Sequence, residues 1–246
     1  MVRLSVNVNK VATLRNSRGG PVPSVIEAVR VCLGAGAPGI TVHPRADRRH
    51  ITPEDVREIA AELHSLRHQV EFNIEGDPRR DLLKLVAEVR PHQCTLVPVK
   101  PGEVTSQAGW SSHTPADEMT CIVGDLKKSG VRVSLFVDPE IEAIEWAARM
   151  GADRIELYTE PYARAFEKGG WALEESFNKY ATAAKRAHEL DLGINAGHDL
   201  DLENLVLFRA LPHLDEVSIG HALISRALFE GLECVVREYL EALSQC

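Results

Sequence analysis

Three strand-like apolar runs of this 246-residue chain each end on a histidine. They are Gly39-Ile40-Thr41-Val42-His43, Gly193-Ile194-Asn195-Ala196-Gly197-His198 and Glu216-Val217-Ser218-Ile219-Gly220-His221. Histidine exchanges protons near neutral pH more readily than any other side chain. Three at equivalent places predict general acid–base chemistry along one edge of a sheet. Carboxylates accompany them. Glu71, Asn73 and Glu75 alternate with the apolar Val70, Phe72 and Ile74, so the three polar side chains share one face of a strand. Glu156 sits likewise between Ile155 and Leu157. A carboxylate turned into a core is costly unless it is paired or used, and burial raises its pKa toward the range of a general base. On the residues alone, two readings of Glu71 and Glu156 stay open: a catalytic carboxylate, or one that holds a neighbouring Arg or Lys in place.

A second set of residues is suited to anions. The chain carries a formal net charge of −8, which argues against a nucleic-acid partner. Against that background Lys10, Arg15 and Arg18 share one segment without a nearby acid, and Arg45, Arg48, Arg49 and His50 crowd another beside Asp47 alone. Basic loops on an acidic protein point to an anionic small ligand such as a phosphate ester. The segment Ser218–Ile224 is a glycine turn opening a helix, whose N-terminal N–H groups can bind phosphate, and barrels often bind phosphate after strands seven and eight. Two phosphate sites suit an enzyme that joins two phosphorylated small molecules. The H-E-x-x-H and C-x-x-C spacings of common metal sites are absent, so no metal is expected. The five cysteines (32, 94, 121, 234 and 246) are an odd set and read as reduced thiols of a cytoplasmic protein. No apolar stretch nears the roughly 20 residues that span a bilayer, and the first residues read as a strand rather than a signal peptide. No membrane partner is expected.

These residues need a scaffold that collects strand ends. Strand-like and helix-like segments alternate along the chain at roughly 30 residues per unit, the spacing of βα repeats. Strands are predicted near 2–8, 38–42, 69–74, 93–97, 131–137, 153–158, 192–196 and 215–219. Helices are predicted near 23–36, 53–66, 77–89, 115–129, 139–150, 172–190, 201–211 and 221–243. Thr52-Pro53-Glu54-Asp55 carries a cap, a proline and first-turn acids; Asp77-Pro78, Thr114-Pro115 and Asp138-Pro139 repeat the start signal, and Gly36, Gly130 and Gly151 mark helix ends. Eight such units predict an α/β fold, a (β/α)8 TIM barrel filling residues 1–246 as one domain. An open doubly wound sheet is the alternative, and no G-x-G-x-x-G after the first strand supports it. Long loops are expected after strand one (9–22) and strand four (98–114), the second a candidate lid in which Trp110 either covers the substrate or anchors the loop.

The motifs resemble a known family. Asn7 with Ala12-Thr13-Leu14-Arg15-Asn16-x-Arg18-Gly19, Thr41-Val42-His43-x-Arg45-x-Asp47-Arg48-Arg49-His50-Ile51, Asn195-Ala196-Gly197-His198 and Ile219-Gly220-His221-Ala222 are similar to those of pyridoxine 5′-phosphate synthase, and the likeness runs essentially end to end. The resemblance implies a (β/α)8 barrel that closes the pyridine ring of vitamin B6. It implies two phosphorylated substrates, 1-deoxy-D-xylulose 5-phosphate and 3-amino-2-oxopropyl phosphate, no metal or organic cofactor, and a homo-octamer. By motif match it makes His43 and Glu71 proton acceptors, His198 a proton donor and Glu156 a transition-state stabiliser. Asn7, Arg18, Gly220 and His221 match positions that bind the aminoketone phosphate; Arg45, His50 and Thr105 match those for deoxyxylulose phosphate. The chain departs from the pattern twice. Asn9-Lys10 stands where Asp-His is frequent, leaving Lys10 to bind a phosphate or hydroxyl, and Asp199 follows His198 where glycine is common. A backbone contact survives at Asp199, but its carboxylate must turn away from a phosphate. The competing readings are a phosphate-sugar isomerase or aldolase on the same barrel, the latter through a Schiff base on Lys10, and a non-catalytic sensor of a phosphorylated ligand.

Overall fold

In the computed structural model, described over residues 1–99 and 107–244, eight parallel strands close into a barrel in sequential order. They are β1 (Arg3–Asn7), β2 (Gly39–Val42), β3 (Glu71–Gly76), β4 (Gln93–Leu96), β5 (Arg132–Val137), β6 (Arg154–Tyr158), β7 (Gly193–Gly197) and β8 (Leu214–Ile219). β8 pairs back onto β1, with Val6 opposite Ile219. Helices α1 (Asn9–Asn16), α2 (Val25–Gly34), α3 (Pro53–Leu63), α4 (Arg80–Val89), α5 (Ala116–Lys128), α6 (Ile141–Arg149), α7 (Glu160–Lys168), α8 (Gly170–Glu189), α9 (Leu202–Phe208), α10 (His221–Glu230) and α11 (Leu232–Ser244) follow the strands.

Alternation along each strand explains the core. Leu4, Val6, Ile40, Val42, Phe72, Ile74, Leu96, Val133, Leu135, Ile155, Leu157, Ile194 and Val217 face outward and are buried against the helices. The inner face is polar, unlike the branched aliphatic filling usual for such barrels. Ser5 and Thr41 share a 2.6 Å hydrogen bond, Asn73 donates to Thr41, and Thr95 donates to Asn73. At the amino end, Arg3 and Arg132 both pair with Glu71, and Arg154 donates to Asn195. Much of the interior thereby satisfies its own polar groups, with Ser134 Oγ and Glu156 Oε2 the exceptions on the inner face among the described residues.

The helices follow the sequence signals with three physical exceptions. Thr52 caps α3 in a reciprocal capping box with Asp55, Pro53 opens the helix, and the other proline-marked helices begin one or two residues past their prolines. Residues 9–16, expected in a loop, form α1, although no side chain caps it. Its order comes from tertiary contacts. Val11 and Ala12 are buried, and Arg15 forks onto Asp55 of α3 at 2.5 and 2.9 Å. The segment expected as one helix over 221–243 is two, because Gly231 adopts a φ of +89° and ends α10. An extra helix, α7, precedes α8. Among the described residues no helix is long and apolar enough to cross a membrane.

Candidate active site

A cavity of about 400 Å³ opens at the carboxyl ends of the strands, a size typical of small-molecule sites. His43, which follows β2, the β6 carboxylate of Glu156 and His198, which follows β7, all line it. So do Asn7, Asn9, Lys10, Arg45, His50, Asp199, Gly220 and His221. Thus most of the residues expected at the site converge from five strand ends. Two do not, and one lies outside the described residues. Arg18 is exposed in the turn after α1 and does not line the cavity. Thr105 falls outside the described residues.

The larger correction concerns Glu71. β3 begins at Glu71, two residues later than expected, and pairs it with Gly39 at the start of β2. Glu71 therefore sits at the amino end of the barrel, locked between Arg3 and Arg132. These surroundings match the structural alternative, a carboxylate holding arginines. Glu75 lies on the same inward face four residues on, roughly 13 Å further along the strand, and it lines the cavity. The sequence placed both on one face; strand register decides which reaches the rim.

Glu75 is buried, and among the described residues its hydrogen bonds are long, 3.4 Å each, from the donors Asn7 Nδ2 and Ser218 Oγ. Burial, with the Glu216 carboxylate deeper in the barrel, pushes it up to about 7, while Ser218 opposes the shift. Glu156 is raised well above the usual carboxylate range by burial and then by Glu75 and Glu216. Its Oε2 is buried with no hydrogen-bond partner among the described residues. Gly197 permits this arrangement, since a Cβ there would stand 2.5 Å from Glu156 Oε1.

His43 lies beside Glu75, Nδ1 to Oε2 3.9 Å. Burial, aided by His50, Arg45 and Arg79, lowers its pKa to about 3. The ring is then neutral near pH 7, so this contact is not a salt bridge, and 3.9 Å exceeds a hydrogen bond. Asn9 holds the His43 backbone, its Oδ1 accepting from the His43 amide at 2.8 Å. His50 is likewise kept neutral, to about 4, by burial and then by Arg45 and Lys10. His198 stands between the Tyr158 ring, edge-on at 5.1 Å, and Asp199, 3.2 Å from Nδ1. The floor is thus an array of neutral bases and protonatable acids beneath a rim of cations: Lys10, Arg45 and Arg49. Opposite them lies the N-terminus of α10 at Gly220 and His221.

Sequence reasoning passed over Phe136 and Ser218 as cavity residues. Both occupy inward positions near strand ends, a signal available from alternation alone. Trp110 anchors its segment: its amide donates to Phe136 O and its indole Nε1 to Leu96 O, each at 2.8 Å. Gly109 is required beside it, because a Cβ would meet the Val137 backbone at 2.4 Å.

A parallel barrel that gathers proton-exchanging side chains beneath a cationic rim is an α/β-barrel enzyme of the general acid–base kind. The chain belongs to the family described as pyridoxal phosphate biosynthesis protein PdxJ, whose model matches residues 4–245. It is 52% identical over 244 residues to the pyridoxine 5′-phosphate synthase of Christiangramia forsetii, covering 99% of this chain and 100% of that protein. It is 50% identical to that of Porphyromonas gingivalis over 245 residues, with 99% and 100% covered. Solved structures share the fold at low identity. The 3-keto-L-gulonate-6-phosphate decarboxylase of Vibrio cholerae matches with a TM-score of 0.63 at 10% identity, covering 99% of each chain. Phosphoribosyl anthranilate isomerase of Thermotoga maritima matches with 0.62 at 14%, covering 99% and 98%.

Proposed function

We propose that this chain, acting as one barrel domain in the cytoplasm, condenses 1-deoxy-D-xylulose 5-phosphate with 3-amino-2-oxopropyl phosphate to pyridoxine 5′-phosphate, releasing inorganic phosphate and water. The observation that carries this reading is the cavity itself: neutral imidazoles and high-pKa carboxylates gathered with the cations Lys10, Arg45 and Arg49 and the N-terminus of α10. The name of the C. forsetii relative supports it.

The reaction begins when the amine attacks the sugar ketone. Loss of water gives an imine, then an enamine; the sugar phosphate leaves, the ring closes and further dehydration makes it aromatic. Each stage moves a proton on or off carbon, nitrogen or oxygen. His43 is suited to accept protons because it is neutral. Glu75, in the place first expected for Glu71, is the second acceptor. With a pKa of about 7 it is partly ionised at working pH, and it is a stronger base than an ordinary carboxylate. His198 donates protons to departing hydroxyls. Glu156, held in its protonated form, donates a hydrogen bond to developing negative charge from its unpartnered oxygen. Asn7, Gly220 and His221 bind the aminoketone phosphate; Arg45, His50, Lys10 and Asn9 bind the sugar phosphate, and Arg18 and Thr105 stay assigned to the aminoketone and sugar phosphates respectively by resemblance alone.

Incubation with both substrates and no added metal should yield pyridoxine 5′-phosphate and an equal amount of inorganic phosphate. Well-folded protein that binds both substrates without forming product would reject the reading. Borohydride trapping on Lys10, which lines the cavity, would favour an aldolase instead. We also propose a homo-octamer. Exposed apolar side chains support self-association, above all Phe229 at 90% and Trp171 at 74%. Light scattering on the eluting protein tests it, and a monomeric mass refutes it.

A further inference from the structure

His198 and Asp199 are consecutive non-glycine residues with positive φ, +89° and +58°, a conformation that costs such residues energy and persists only where the surroundings impose it. Their surroundings are well tied. Thr159 Oγ1 donates to the carbonyls of Gly197 and His198, and Asn204 Nδ2 donates to the Asp199 carbonyl. The backbone would accept glycine at 199 with less strain, so the aspartate calls for a reason in its side chain. Its carboxylate is turned to His198, Oδ2 lying 3.2 Å from Nδ1, an ion-pair distance whose geometry falls short of a hydrogen bond and that a small turn of the ring would complete.

We propose that Asp199 is a positioning residue for His198: its carboxylate engages the Nδ1–H of the ring, so that the proton given to substrate leaves from Nε2. This rests on the reading of His198 as the proton donor. In the donating step the C–O bond breaks with its electron pair moving to oxygen. The Nε2 proton forms the new O–H bond, and the departing group is water. The ring is left neutral with its remaining proton on Nδ1, facing Asp199, and Nε2 ready to be reprotonated. The logic is that of an acid orienting a catalytic imidazole.

The charges around the ring are consistent with that role. Asp199 is held below the usual carboxylate range chiefly by His198, and further by Arg164 and His221. From β6, Tyr158 packs on the ring, and Glu156 lies beneath Gly197. From α7, Arg164 is occupied by Glu160 and Glu167. Asp138 at the end of β5 faces Tyr158. Among the described residues Asp199 is thus the carboxylate adjacent to Nδ1.

The test uses the full-length protein with Asp199→Gly, Asp199→Asn and Asp199→Glu. Glycine and asparagine both tolerate the left-handed backbone, so the turn should survive. Nitrogen-15 NMR, with His198→Gln to assign the resonance, reads the tautomer of the neutral ring without substrate. The parent should carry its proton on Nδ1, and Asp199→Gly should move it to Nε2. Asp199→Gly and Asp199→Asn should lower kcat by about tenfold or more, with Asp199→Glu restoring most of the activity. An unchanged tautomer in Asp199→Gly, or no recovery in Asp199→Glu, overturns the proposal. A changed tautomer with unmoved activity instead removes His198 from the donor role on which it rests.

Discussion

Replacing Glu75 by glutamine should separate catalysis from stability, and the same change at Glu71 should separate them the other way. Glutamine keeps the shape of Glu75 and can still accept from Asn7 and Ser218, whose contacts are already long at 3.4 Å. It cannot take a proton. Losing a general base typically costs about 10²–10⁴-fold, or roughly 3–5 kcal/mol of barrier. Stability should move in the opposite direction. An acid whose folded pKa is raised costs nothing below its unfolded value and its full penalty above the folded one. For Glu75 the window runs from the ordinary 4.5 to about 7. That shift corresponds to an upper limit on the order of 3 kcal/mol. Glu75→Gln should therefore unfold at higher urea than the parent at pH 8, with the advantage vanishing near pH 4. Glu71→Gln abolishes the charge partner of Arg3 and Arg132. Arg3 is 41% exposed, so screening limits the loss to about 1–2 kcal/mol, and kcat should stay within a few-fold. The assay is phosphate release with both substrates, paired with urea unfolding at the two pH values. A folded Glu75→Gln variant with near-parental kcat would refute the assignment, as would a Glu71→Gln variant that folds normally yet loses a hundredfold.

Other expectations follow from the same geometry. His43 and His50 are held neutral down to about 3 and about 4, so the unfolded chain takes up protons below about pH 6.5 that the folded chain refuses. Stability contributed through these rings falls as pH drops from there, and His43→Gln should flatten that fall in urea titrations while lowering kcat. Gly197→Ala would drive a methyl group to 2.5 Å from Glu156 Oε1; kcat should fall at least about tenfold, and an unaffected kcat would contradict the role given to Glu156. Asp55→Ala removes both the fork from Arg15 and the α3 capping box, at a cost of about 2–4 kcal/mol in thermal or urea unfolding. Because Arg15 and Asn16 also hold the His50 carbonyl, KM for the sugar phosphate should rise more than kcat falls.

The sequence by itself determined the barrel, the rim and most of the site. Alternation of polar and apolar residues set which face of each strand turns inward, and histidines closing apolar runs marked the carboxyl edge, because these are local properties of the chain. The same locality made the capping box at Thr52 and Asp55 legible, as well as the cationic segments around Lys10 and Arg45. Depth along the barrel axis was not local. Glu71 and Glu75 have the same orientation and similar neighbours, and only the pairing of Glu71 with Gly39 sends one to the arginines and the other to the cavity. Helix α1 likewise forms because Arg15 meets Asp55 forty residues away, against a weak local preference. The pKa values belong wholly to the tertiary structure. Burial, and the approach of carboxylates from three different strands, turn Glu75 and Glu216 into groups that exchange protons near neutrality and raise Glu156 well above the usual carboxylate range. No stretch of sequence contains that proximity, since it exists only once the sheet has closed.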